Sequence, residues 1–228
     1  MSNWWSKTCN PVVGCMHNSE GCDNCYAMRM ARRLKAMGLP QYQDVVDDYG
    51  WTGEVGTNKD AFATLPKKHQ VVFLVSMGDL FYADRDTVQE VLRAAGIHSQ
   101  HTFRVCTKRP EAARKMGLEW PDNVQLGVTV ESQRYLWRAN ILKDIPVRVR
   151  FINCEPLLGP ITGMELNGIH WVAGGYETGP QARVGDPSWI HDVAAQCNEQ
   201  KVPFLFKAWG ATDPGPRGTP HDLGILPE

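Results

Sequence analysis

The chain has 228 residues, 43% of them hydrophobic and 21% charged, with a formal net charge of -1. That balance suits one globular domain with a sizeable core; it excludes a disordered or fibrous chain and a global positive field able to hold a polyanion non-specifically. No window reaches the roughly 20 apolar residues of a membrane span, and Met1–Lys7 lacks the apolar stretch of a signal segment, so we expect one cytoplasmic domain over residues 1–228.

Four of the seven cysteines, Cys9, Cys15, Cys22 and Cys25, fall within the first 25 residues. An odd number of cysteines in a reducing compartment reads as metal ligands before disulfides. Cys15, Cys22 and Cys25 form a C-x6-C-x2-C loop over residues 14–26, with Gly14 and Gly21 suited to tight backbone approach. Two chemistries stay open on the cysteines alone. A four-iron cluster held by three thiolates keeps one iron free for the amino and carboxylate groups of S-adenosylmethionine. Zinc, with His17 or Cys9 as a fourth ligand or with an open position for hydrolysis, would use the same thiolates, in a zinc-dependent hydrolase or a zinc-stabilised nucleic-acid-binding protein. Tyr26 after the last cysteine and the strand–helix units that follow favour the cluster. Cys9 is either an extra ligand or a small buried thiol.

Further along, Cys25–Met37 has a helical pattern stopped by Gly38 and Pro40, with Arg29, Arg32, Arg33 and Lys35 assigned to solvent. Residues 40–70 are poorly patterned. Apolar, β-rich runs follow at Val71–Ser76, Thr102–Thr107, Val124–Val130, Val147–Asn153, Ile169–Ala173 and Val202–Phe206. Helical patterns lie between them at Asp86–Ser99, Arg109–Met116, Ser132–Leu142 and Trp189–Gln200. Continuous apolar runs alternating with helices predict an α/β fold with a mostly parallel sheet covered on both faces, a partial (β/α)6 barrel. Each run ends in polar groups: Ser76-Met77-Gly78-Asp79, Thr107-Lys108-Arg109, Thr129-Val130-Glu131, Asn153-Cys154-Glu155, Gly174-Gly175-Tyr176-Glu177 and Lys207. The C-terminal rim of a parallel sheet is where such groups converge on a ligand.

The blocks Asn10-Pro11-Val12-Val13-Gly14-Cys15, Gly21-Cys22-Asp23-Asn24-Cys25-Tyr26-Ala27, Ser76-Met77-Gly78-Asp79-Leu80-Phe81, Thr107-Lys108-Arg109-Pro110, Glu155-Pro156-Leu157-Leu158-Gly159-Pro160 and Phe206-Lys207 resemble, in this order, a bacteriophage and bacterial family of proteins akin to the radical S-adenosylmethionine superfamily. The similarity runs from about residue 10 to 210. The resemblance implies a cysteine loop after the first strand of a partial barrel, a [4Fe-4S] cluster on Cys15, Cys22 and Cys25, and S-adenosylmethionine cleaved to a 5'-deoxyadenosyl radical that takes a hydrogen atom from a substrate. It also implies an external electron donor, and a nucleotide or nucleic-acid base as the substrate class. The inserted Tyr176, where the family reads Gly-Gly-Glu-Ser-Gly, is a departure.

Ser76, Gly78 and Asp79 are the candidate cofactor-binding element, with Asp79 on the methionine amino group or, alternatively, an N-cap. Asn24 and Tyr26 flank the third cysteine and are candidates to contact the adenine; the alternative is that Tyr26 packs the loop. Lys108 and Arg109 share a strand end and suit an anion such as the cofactor carboxylate; the alternative pairs Lys108 with Glu131 or Glu155 while Arg109 starts a helix. Glu131, Glu155 and Glu177 are candidate acceptors for ribose hydroxyls or substrate amines, or, each singly, partners of an arginine. Lys108, Glu155 and Cys154 are the candidate catalytic groups, Cys106 and Cys154 being expected either at the mouth as hydrogen-atom donors or as small buried residues. Lys207 and Arg183 complete the charged ring, and Trp4, Trp5 and Trp51 could reach a base.

Overall fold

The computed structural model describes residues 4–222, 224, 226 and 227. Residues 1–3, 223, 225 and 228 of the expected domain, including the start of the Met1–Lys7 segment, lie outside the described residues. Seven strands form one parallel sheet: β1 (Lys7–Cys9), then, after a short antiparallel pair of β2 (Val12–Val13) and β3 (Gly56–Thr57), β4 (Val71–Leu74), β5 (Thr102–Thr107), β6 (Val124–Thr129), β7 (Val149–Cys154), β8 (Trp171–Gly174) and β9 (Phe204–Phe206). The strands follow one another across the sheet, which curls into a half-barrel with β1 and β9 at its edges. The expected partial barrel is present, with one strand more than the sequence patterns marked.

Five α-helices are found among the described residues: α1 (Tyr26–Ala36), α2 (Arg85–Ile97), α3 (Pro110–Lys115), α4 (Trp137–Lys143) and α5 (Ser188–Glu199). Local chemistry sets their starts. Asp84 accepts from the backbone N–H of Asp86 and Thr87 at 3.0 Å each, so α2 begins at Arg85. Pro110 occupies the first turn of α3, where its missing N–H costs nothing. Arg32 and Lys35 of α1 do not simply face solvent: Arg32 donates to the carbonyls of Asp47 and Asp48, and Lys35 to that of Val46, tying down the unpatterned segment.

Strand alternation sorts the side chains onto two faces. Val72, Leu74, Phe103, Val105, Leu126, Val128, Ile152, Cys154, Val172 and Phe204 point outward under the helices and join Leu92, Leu142, Ile190 and Cys197 in the main core. Phe73, Cys106, Phe151, Trp171, Ala173 and Leu205 point inward and meet Trp4 and Trp5. Phe151 stacks on Trp171 at 4.1 Å, with Trp4 at 5.4 Å from Phe151. Arg104, buried beside them, donates to Gln125 Oε1 and to the carbonyls of Trp4 and Pro227, so these two residues are tied to the half-barrel floor. No helix of the described residues is long and apolar enough to cross a membrane.

Candidate active site

Above that aromatic floor, at the C-terminal rim, a cavity of about 480 Å³ opens. Cys15, Cys22 and Cys25 all line it, together with Asn24, Tyr26, Ser76, Gly78, Asp79, Lys108, Glu155 and Glu177. Residues scattered over the whole sequence therefore share one chamber, because every strand of a parallel half-barrel ends on the same side.

The cysteine loop is fixed to the rim by its glycines. Gly14, at φ +114, and Gly78 bridge in parallel, and a Cβ on Gly78 would overlap the Gly14 carbonyl oxygen. A Cβ on Gly21 would lie 2.7 Å from Glu131 Oε1, so the loop rests directly on that carboxylate. Cys22 closes a single 3-10 turn, Glu20–Cys22, and receives the Asn18 N–H at 3.5 Å. Cys25 stands at the N-cap of α1, where the helix dipole favours negative charge on sulfur. Burial, then the charge of Asp79 and of the neighbouring Cys22 and Cys25, pushes the Cys15 thiol well above its ordinary range.

The carboxylates at the rim are each engaged. Asp79 caps the turn Leu80–Tyr82 and accepts from Phe81 N–H, from Lys108 N–H at 2.9 Å and from the Thr107 hydroxyl at 2.8 Å. Burial raises its carboxyl despite these donors. Glu131 is fully buried between Lys108 Nζ at 2.7 Å, Arg138 Nη1 at 2.8 Å and the Ser19 hydroxyl. Burial alone would raise the Glu131 carboxyl, but the Lys108 ammonium and the Arg138 guanidinium hold it below its usual value. Burial lowers Lys108 and the Glu131 charge outweighs it, so Lys108 stays above its ordinary value. Glu155 pairs with Lys207, whose ammonium lies 4.7 Å from the Trp5 ring. Glu177 accepts from Asn24 Nδ2 at 3.0 Å and from Arg183 backbone and guanidinium; Arg183 also reaches Asp23 at 3.1 Å, so the β8 rim is strapped onto the cysteine loop. Tyr26 donates to the Ser76 carbonyl at 2.8 Å.

Three of the expected cofactor-binding and catalytic residues, Arg109, Glu131 and Cys154, lie outside the cavity lining, and Glu131 is taken up by Lys108 and Arg138 rather than offered to ribose hydroxyls. Arg109 is the N-cap residue of α3, donates to the Phe81 carbonyl and lies 4.0 Å over the Tyr82 ring, outside the cavity lining. Cys154, at 0% exposure, sits in the outer core, and burial raises its thiol well above the ordinary value. Its neighbour Asn153 takes the inward position, since adjacent strand residues point to opposite faces. Cys106 is inward and lines the cavity, its sulfur 3.4 Å from Thr129 Oγ1 and its thiol pushed up to about 11 by burial. Cys9 lies in the main core and His17 is turned to Asp23 at 2.7 Å; neither lines the cavity. Among the described residues, no three His, Cys, Asp or Glu side chains are grouped to hold a single ion.

The sequence reading named Asn153 only within the rim group Asn153-Cys154-Glu155 and Trp4 only as a possible base contact, and it passed over Ser19 and Arg138 as partners of Glu131. Strand alternation was the available signal for Asn153; nothing local marks Ser19 or Arg138, which become partners only when the loop folds over β6. No curated protein and no solved structure gives a match. The profile described as "Protein of unknown function (DUF5131)" matches residues 2–219, nearly the whole half-barrel and its rim, and the chain therefore belongs to that family.

Proposed function

We propose that this chain is a radical S-adenosylmethionine enzyme, in which Cys15, Cys22 and Cys25 hold a [4Fe-4S] cluster and the adjoining cavity takes the cofactor and the substrate. The observation that carries the reading is the opening of these three thiols onto one chamber at the rim of a parallel half-barrel. The donor set fits the group: three soft ligands on one loop, Cys25 at a helix N-terminus, and Cys9 withdrawn into the core. Cys106 shares the chamber but belongs to strand β5 below the loop.

When bound, the cluster and S-adenosylmethionine together supply one-electron chemistry that ends in removal of a hydrogen atom from a substrate, with the electron drawn from an external donor. The chain's own part is positional and electrostatic. Asp79, Glu155 and Glu177 line the chamber, Glu155 paired with Lys207 and Glu177 with Arg183, so acceptors for the cofactor's amino and ribose groups stand there with their charge largely compensated. Trp4, Trp5 and Phe73 keep its inner end dry.

Anaerobic reconstitution followed by reductant and S-adenosylmethionine tests the reading. A brown protein with about four irons that releases 5'-deoxyadenosine supports it. A colourless zinc protein, or the product formed equally by Cys22→Ala, rejects it.

A further inference from the structure

We infer that the floor of the chamber is a binding subsite for an uncharged planar heterocycle carrying both a hydrogen-bond donor and an acceptor, as a free nucleobase or nucleoside does. This deepens the proposed function by naming its substrate class, and rests on that reading only for what happens to the ring after binding.

Among the described residues three buried side-chain polar atoms have no hydrogen-bond partner: Arg138 Nε, whose residue does not line the chamber, and two whose residues do, Asn153 Oδ1, an acceptor, and Trp4 Nε1, a donor. Asn153 and Trp4 are 7% and 3% exposed. An unpaired buried polar atom is costly, and both residues line a cavity large enough for a small ligand. The Asn153 amide is oriented by its own Nδ2, which donates to the Glu155 carbonyl at 3.3 Å; flipping it would set two acceptors together, so Oδ1 is the free end. Trp5, Phe73 and Ala208 line the chamber with them and offer flat apolar surface, while the Lys207 ammonium, paired with Glu155, lies 5.8 Å from the Trp4 ring.

The charge pattern argues against a phosphorylated ligand. Both lysines of the lining are already paired, Lys108 with Glu131 and Lys207 with Glu155, as the Glu177 carboxylate is with Arg183. A phosphate there would have to displace a carboxylate already seated on each ammonium.

The probes are adenosine, guanosine, cytidine and uridine and their 5'-monophosphates, titrated into the full-length protein by calorimetry. Trp4→Phe removes the indole donor and keeps a ring; Asn153→Leu removes the acceptor at similar volume. At least one nucleoside is expected to bind, its monophosphate more weakly, with tenfold or greater loss in each variant that retains the native circular dichroism. Where Asn153→Leu does not fold, Trp4→Phe alone decides. No nucleoside binding, unchanged affinity in the variants or tighter binding of the monophosphate overturns the inference. Saturating S-adenosylmethionine separates the two sources of such a ring: persistent nucleoside binding supports a substrate subsite, and one-for-one displacement overturns it in favour of the cofactor's own adenine. These readouts need no turnover, so their failure is distinct from failure to form 5'-deoxyadenosine.

Discussion

Gly78 lies against Gly14 so closely that a Cβ on Gly78 would overlap the Gly14 carbonyl oxygen, the same oxygen that accepts the Asp79 N–H at 3.1 Å. The contact fastens the start of the cysteine loop to the segment that follows β4, so the cavity wall and the cysteine loop share one backbone junction.

Gly78→Ala is therefore expected to cost about 1–3 kcal/mol, the range for overpacking where backbone must shift. Urea unfolding measures it. Because the junction holds Cys15 and Asp79 together, iron retained after desalting should fall as well. A variant as stable as the parent would show that the two loops separate freely.

Glu131 carries the sharpest charge argument. It is buried between two cations, so Glu131→Gln leaves Lys108 and Arg138 short of compensation and should cost about 3–5 kcal/mol at neutral pH. The pH dependence follows from the lowered carboxyl. The folded value lies below the unfolded value of about 4.3, so the contribution is complete above roughly pH 5 and is lost as pH falls through the folded value. Unfolding curves for parent and variant should diverge at pH 7 and draw together in acid; a gap independent of pH would refute the assignment.

The cysteines should separate into classes. Cys15→Ala, Cys22→Ala and Cys25→Ala are expected to lose bound iron with little change in fold. Cys9→Ala, in the core, should keep iron and lose about 1 kcal/mol of stability. Cys106→Ala should also keep iron, as its sulfur belongs to a strand below the loop. Iron analysis and thermal melting distinguish these outcomes, and loss of iron in Cys9→Ala would reinstate it as a ligand.

Cys154→Ser should behave as a core variant. The new hydroxyl would be buried beside Cys197 and Ile190 in the outer core, costing about 1–3 kcal/mol, while leaving ligand binding in the chamber unchanged. Equilibrium unfolding and nucleoside calorimetry on one preparation check both halves. A variant of normal stability that loses binding would place the thiol at the mouth after all.

The arrangement of strands and helices was legible in the residues. Apolar runs such as Thr102–Thr107, which is β5 itself, are long enough to reveal a buried parallel strand, and the polar groups after each run marked the rim. The cysteine spacing likewise identified a loop whose thiols share one chamber. β1 went unseen because three residues are too few to display a period, and it is defined only by pairing with β4. The tertiary structure alone decided which neighbour faces the chamber. Asn153 points in and Cys154 out because a strand alternates faces, and a one-residue choice at the β7 end reverses the chemistry. It also decided that Lys108 meets Glu131 and that Arg109 turns to Tyr82, since charges find partners across distances the sequence order does not encode.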